Sequence, residues 1–138
     1  MTRHGDEIVV TFSGRKHVDA RVGDRTIRTD QSLEHGGEAS APEPFDLFLA
    51  SLAACAGTYV LAFCQTRSIP TEGMQLSQRA TYDGPRLVGV AIDIALPRDF
   101  PPEYFDAIRA AAAACKVHKV LQAPPEIEIT AQRHRSQS

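Results

Sequence analysis

Tryptophan is absent from the chain, and 138 residues contain only three cysteines and two methionines. Three cysteines without a Cys-x-x-Cys pair make neither a structural disulfide framework nor a paired zinc knuckle. An excess of either charge is also lacking. Fifteen Lys and Arg stand against seventeen Asp and Glu, mixed along the chain. That balance argues against a nucleic-acid partner or an anionic membrane surface. No apolar segment follows Met1-Thr-Arg-His-Gly-Asp6, so no secretory signal is expected and the expected location is cytoplasmic. No phosphate-cradling glycine loop, Ser-His-Asp arrangement or paired-carboxylate pattern is recognisable. No internal repeat is seen. The expectation is a chain with no bound cofactor and no metal.

One long apolar run is present, from Pro42 to Gln65, with Cys55 in its middle. Pro44 suits a first helical position, where the missing N–H costs nothing. Asp46 falls in the first turn, where a carboxylate bonds free backbone N–H groups. Leu47 to Phe63 carries no charge. A helix apolar all round is buried all round or lies in a membrane. The run is about 17 residues, the short edge of a bilayer span. Its alanines with Ser51, Gly57 and Thr58 make it weakly lipophilic, so a central core helix is expected and no membrane.

Three β-forming stretches precede it: Glu7–Phe12, Arg15–Val22 and Arg25–Thr29, separated by Ser13-Gly14 and Gly23-Asp24. Asp30 to Pro42, with Gly36-Gly37, reads as a loop. After the helix, Met74–Tyr82 and Leu87–Leu96 alternate on either side of Asp83-Gly84-Pro85 and predict a hairpin. Glu103 to Cys115 has helical spacing, and Lys116–Leu121 continues it or forms a second short helix. Glu126–Ala131 alternates as a final strand, and Arg133–Ser138 is a polar tail. The expected fold class is α+β, in the order βββ-α-ββ-α(α)-β, as one domain over 1–138.

On the helix, Cys55 has Ser51, Thr58 and Tyr59 on its own face. Cys64 is nine residues on, about 900° of rotation, so it points away from Cys55. If Cys55 has a thiol partner within the chain, Cys115 is the choice. A lone cysteine is most often an inert small hydrophobe. Cys55 is too deep in the helix to gain from its N-terminus, so a thiolate there needs a cation from elsewhere. Arg15, Lys16, Arg21, Arg25 and Arg28 are candidates, as are Lys116, His118 and Lys119. Each is ordinarily a solvated surface charge. Cys115-x-x-His118, with His35, Cys55 or Cys64, lacks the spacing of a zinc site.

Two motifs resemble the OsmC-like family, which includes osmotically inducible protein C and the organic hydroperoxide resistance proteins. One is Asp30…Gly36-Gly37…Pro42-x-Pro44-Phe-Asp46-Leu-Phe-Leu-Ala-Ser-Leu-Ala-Ala-Cys55; the other is Cys115-Lys-Val-His-Lys-Val-Leu121. The element order matches too, so the likeness covers nearly the whole chain. The resemblance implies an intertwined homodimer, with sheets wrapped around two long central helices. It implies that Cys55 is the peroxidatic thiol and Cys115 the resolving one, in a stress-response antioxidant enzyme. A small organic hydroperoxide would be the substrate, and an external dithiol resembling dihydrolipoamide the reductant. In the hydroperoxide resistance branch a Glu ten residues before the first cysteine pairs with an activating Arg. Here Phe45 holds that position, Asp46 follows it, and Glu43 is nearby. The activating Arg is expected on the early strands, as Arg15 or Arg21. Lys116 stands where many relatives have Pro. The reading is a thiol-dependent peroxidase through a Cys55 sulfenic acid and a Cys55–Cys115 disulfide. The alternatives are a non-catalytic protein binding a small apolar ligand in the dimer cleft, and a redox sensor.

Overall fold

The computed structural model describes residues 2–3 and 5–133. The polar tail expected up to Ser138 lies, beyond Arg133, outside the described residues. The chain forms an α+β fold with two antiparallel sheets, and it divides into two compact units at residues 54 and 55.

The first unit begins with β1 (Ile8–Gly14), β2 (His17–Val22) and β3 (Arg25–Thr29), antiparallel in that order. Ile8, Val10 and Phe12 pair with Val22, Ala20 and Val18, and Ala20 in turn with Ile27. These residues share one face, since side chains alternate along a strand. Strand β2 starts two residues later than expected because Arg15 and Lys16 form the turn. Gly14 has φ +114° and Arg15 φ +50°, a conformation that opposes a continuing ladder. Asp30 follows β3 and anchors the loop that leads to the long helix. Its backbone N–H donates to Pro42 O at 3.1 Å. Its carboxylate accepts from the backbone N–H groups of Gln31, Glu38 and Ser40 and from the Ser40 hydroxyl. Asp30 is fully buried, so these bonds compensate a charge removed from water. Gly37 passes so close that a Cβ there would stand 2.8 Å from Asp30 Oδ1 and overlap Gln31 O.

Helix α1 (Pro44–Thr66) starts in the first unit and ends in the second. The second unit adds the hairpin β4 (Gln75–Asp83) and β5 (Arg86–Ala95), then α2 (Phe105–Ala113) and α3 (Lys116–Gln122). Val60, Phe63, Cys64, Phe100 and Ile108 are its buried core. The helix expected through Cys115 stops at Ala113, and Cys115 is extended, with φ −64° and ψ 149°.

Two expectations are corrected. No strand follows β5 among the described residues, so the order ends in α2 and α3 and lacks the final β. Alternation marks a segment with one face to cover, but a strand also needs an edge to pair with. Over Glu126–Ala131 none is engaged, and Ile127 and Ile129 are 82% and 90% exposed. Nor is α1 buried all round. Leu52, Ala56, Val60, Phe63 and Cys64 form its buried stripe, while Phe45, Tyr59 and Leu61 are exposed. By length and composition α1 is apolar enough to cross a membrane, with mean hydropathy 2.0, and only 28% of its most apolar stretch is buried.

Candidate active site

Cys55 lies in the middle of α1 and Cys115 at the break between α2 and α3. Ending α2 at Ala113 is what makes the site. The first N–H groups of a new helix have no partner within it, and Cys115 precedes that first turn. Its sulfur accepts the His118 N–H at 3.4 Å.

The Cys55 thiol is held below its ordinary range, first by the Val117 backbone N–H that donates to it. Burial opposes this. The Cys115 thiol, the Lys116 backbone N–H and the Lys116 ammonium act with Val117. Donors and one cation from a three-residue stretch therefore serve the Cys55 sulfur, and each favours its charged form. Cys115 moves the opposite way. Burial pushes it up, and its hydrogen bond to Cys55 keeps its proton in place. The pair thus has an acceptor, half-buried Cys55, and a donor, Cys115, which is 1% exposed. Both thiols are free. Cys64, fully buried in the core, is raised by burial.

The other site residues named from sequence are placed as follows. Arg15 is exposed in the β1–β2 turn, with Nη1 3.8 Å from Glu38 Oε2. Arg21 lies on β2 between Val9 and Thr26 and lines a shallow cavity with them, Thr11 and Asp19. Asp46 Oδ2 accepts the Glu43 backbone N–H at 3.1 Å, which ties down the start of α1. The Glu43 carboxylate is engaged by His35 Nδ1 at 2.8 Å, and that contact raises the imidazole above its ordinary range. Of the residues named, Cys55 and Cys115 are brought together in the second unit, with Lys116 beside them. Sequence reasoning missed the Val117 N–H. A cysteine directly before a short helix was the available signal, obscured by reading the preceding helix through it.

The model of the OsmC-like protein family matches residues 36–130. No match is found among the curated proteins. Among solved structures, one described as an osmotic stress induced and detoxification response protein, from Psychrobacter arcticus 273-4, is similar with 22% identity and a TM-score of 0.73; 86% of this chain and 89% of that one are covered. An OsmC-like protein from Mycoplasma pneumoniae is similar at 15% identity and a TM-score of 0.71, covering 89% and 91%. An organic hydroperoxide resistance protein from Legionella pneumophila has 21% identity and a TM-score of 0.55, covering 87% and 92%. At these identities the likeness is one of fold.

Proposed function

The chain belongs to the OsmC-like family, and from that premise we propose that it is a thiol-dependent peroxidase reducing organic hydroperoxides. The observation that carries the reading is the asymmetric pair: Cys55 held toward the thiolate by the Val117 N–H, facing a protonated Cys115. A thiolate is the nucleophile in such chemistry. The Cys55 thiolate attacks the O–O bond and takes one oxygen, leaving a sulfenic acid. The alkoxide departs and gains a proton to become the alcohol. The Cys115 sulfur then attacks the sulfenic sulfur; the S–S bond forms and water leaves. An external dithiol, resembling dihydrolipoamide, reduces that disulfide by exchange and is itself oxidised. The structural similarity to a hydroperoxide resistance protein agrees with this substrate class.

Lys116, one of the cations the sequence offered, supplies the charge beside Cys55, in place of the arginine that the family resemblance put on the early strands as Arg15 or Arg21; Asp46 is a helix-start carboxylate. Where many OsmC-like relatives have Pro, this chain has a residue with both an N–H and an ammonium. Both act on Cys55. The working form is a homodimer in the cytoplasm, in which a second copy covers the exposed faces of α1 and of the first sheet. The small residues of α1 suit close packing against protein.

The test is consumption of cumene hydroperoxide and of hydrogen peroxide with a dithiol reductant, for the native chain, Cys55→Ser and Cys115→Ser. Fast loss of the organic peroxide, abolished in Cys55→Ser, is expected. Cys115→Ser should complete one turnover and stop at the sulfenic acid, and mild oxidant should leave Cys64 free. An unreactive Cys55 under organic peroxide would refute the reading.

A further inference from the structure

His17 opens β2, Asp30 follows β3, and Glu38 lies in the loop before α1. The three meet at one point. His17 Nε2 stands 3.1 Å from Glu38 Oε1, 3.4 Å from Asp30 Oδ2 and 3.3 Å from Ser40 Oγ. A charge-assisted N–H···O bond draws one oxygen to about 2.7–2.9 Å. Here three oxygens surround one ring nitrogen and none comes that close. The spacing has room for an ion between the ligand atoms. Ligand atoms about 2.1 Å from a zinc-type ion, in tetrahedral directions, stand about 3.4 Å apart. The three ligand atoms all lie within 4.8 Å of one another.

We propose that His17 Nε2, Asp30 Oδ2 and Glu38 Oε1 bind a divalent transition-metal ion of the zinc class, which pins the loop between β3 and α1 onto β2. The imidazole argues against calcium and magnesium, which favour all-oxygen shells. The surrounding contacts orient the ligands as outer-shell partners do. Arg15 Nη1 faces Glu38 Oε2 at 3.8 Å, leaving Oε1 to the site. The Gln31 N–H holds Asp30 Oδ1 at 2.7 Å; Oδ2 accepts the Ser40 hydroxyl and N–H and the Glu38 N–H at 2.7, 3.0 and 3.2 Å, and the ion takes the place of the Ser40 hydroxyl there. The ion replaces the long His17–Asp30 contact and enters past Glu38, which is exposed. The proposal departs from the expectation of a metal-free chain and uses neither thiol of the peroxidase reading.

The experiment titrates the chelator-treated full chain, carrying Cys55→Ser and Cys115→Ser to remove competing thiolates, with Co²⁺ as the spectroscopic probe. One saturable ion per chain is expected, with visible bands of nitrogen and oxygen ligation and no sulfur charge-transfer band. Zn²⁺ should displace it and excess Mg²⁺ should not. His17→Gln or Glu38→Gln should each weaken binding by more than about 100-fold, beyond the usual effect of an outer-shell change. Added Zn²⁺ should raise the unfolding temperature of the same chain where Mg²⁺ does not, a readout that needs no further variant. Absence of saturable binding, binding untouched by either substitution, or an unfolding temperature indifferent to Zn²⁺ would each overturn the proposal.

Discussion

At Cys55, chemistry depends on which sulfur holds the proton. The Val117 N–H, the Cys115 thiol and Lys116 hold Cys55 low, while burial holds Cys115 and Cys64 high. As pH rises, Cys55 therefore becomes a thiolate first. Iodoacetamide labelling followed by peptide mass analysis should modify Cys55 at a pH below that needed for an ordinary thiol, and leave Cys115 and Cys64 largely unlabelled there. Lys116→Pro is a sharper test. Position 116 opens α3, where proline is well tolerated, so the fold should survive while the N–H and the charge are lost. A hydrogen bond to a charged group is worth roughly 1.5–3 kcal/mol. The Val117 N–H outranks both Lys116 contributions, so the labelling rate at neutral pH should fall without being abolished, with the midpoint moved upward. Lys116→Met keeps the N–H and should lose less. Equal, unchanged rates in both variants would remove Lys116 from the activation of Cys55.

The loop between β3 and α1 is an element organised by a single carboxylate. Four donors hold Asp30 well below the usual carboxylate range, the Ser40 hydroxyl foremost. Its ionised form is therefore favoured by folding. The stabilisation is complete above the ordinary carboxylate pKa of about 3.9, and is lost as pH falls below that value toward the depressed one. Hydrogen exchange should show the Glu38 and Ser40 amides protected at neutral pH and progressively released in strong acid, ahead of amides in β4 and β5. Gly37→Ala attacks the same element by volume. Its Cβ would press on the Gln31 carbonyl and on Asp30 Oδ1. Overpacking of this kind costs about 1–3 kcal/mol, to be read as a lowered midpoint in urea unfolding.

For the whole molecule the informative surface is apolar. Phe12 is 83% exposed on the first sheet, Ile127 and Ile129 on the C-terminal segment are nearly bare, and α1 shows Phe45, Tyr59 and Leu61 to solvent. Exposed apolar groups in such numbers mark surfaces that bind something. A second copy is the occupant that the family resemblance implies. Analytical ultracentrifugation should give twice the 15.0 kDa chain mass, and Leu61→Glu should shift the population toward monomer. A native chain sedimenting at its own mass would sink the homodimer.

Much of the fold was legible in the residues. The β-forming run Glu7–Phe12 closed by Ser13-Gly14 announced β1, the Asp83-Gly84-Pro85 turn announced the β4–β5 hairpin, and the apolar run from Pro42 to Gln65 announced α1 within a residue of its end. These are local signals: side-chain period, turn chemistry and capping are written in neighbouring residues. The same alternation at Glu126–Ala131 was misleading, because a strand exists only when another edge accepts its hydrogen bonds. The break at Ala114–Cys115 was hidden inside an alanine-rich stretch of high helix propensity. Only the tertiary structure turned the Val117 and Lys116 N–H groups toward Cys55, and only it gathered His17, Asp30 and Glu38. Sequence decides which residues are capable of chemistry. Through-space distance decides which of them share a proton or an ion, and distant segments carry no record of it until the chain has folded.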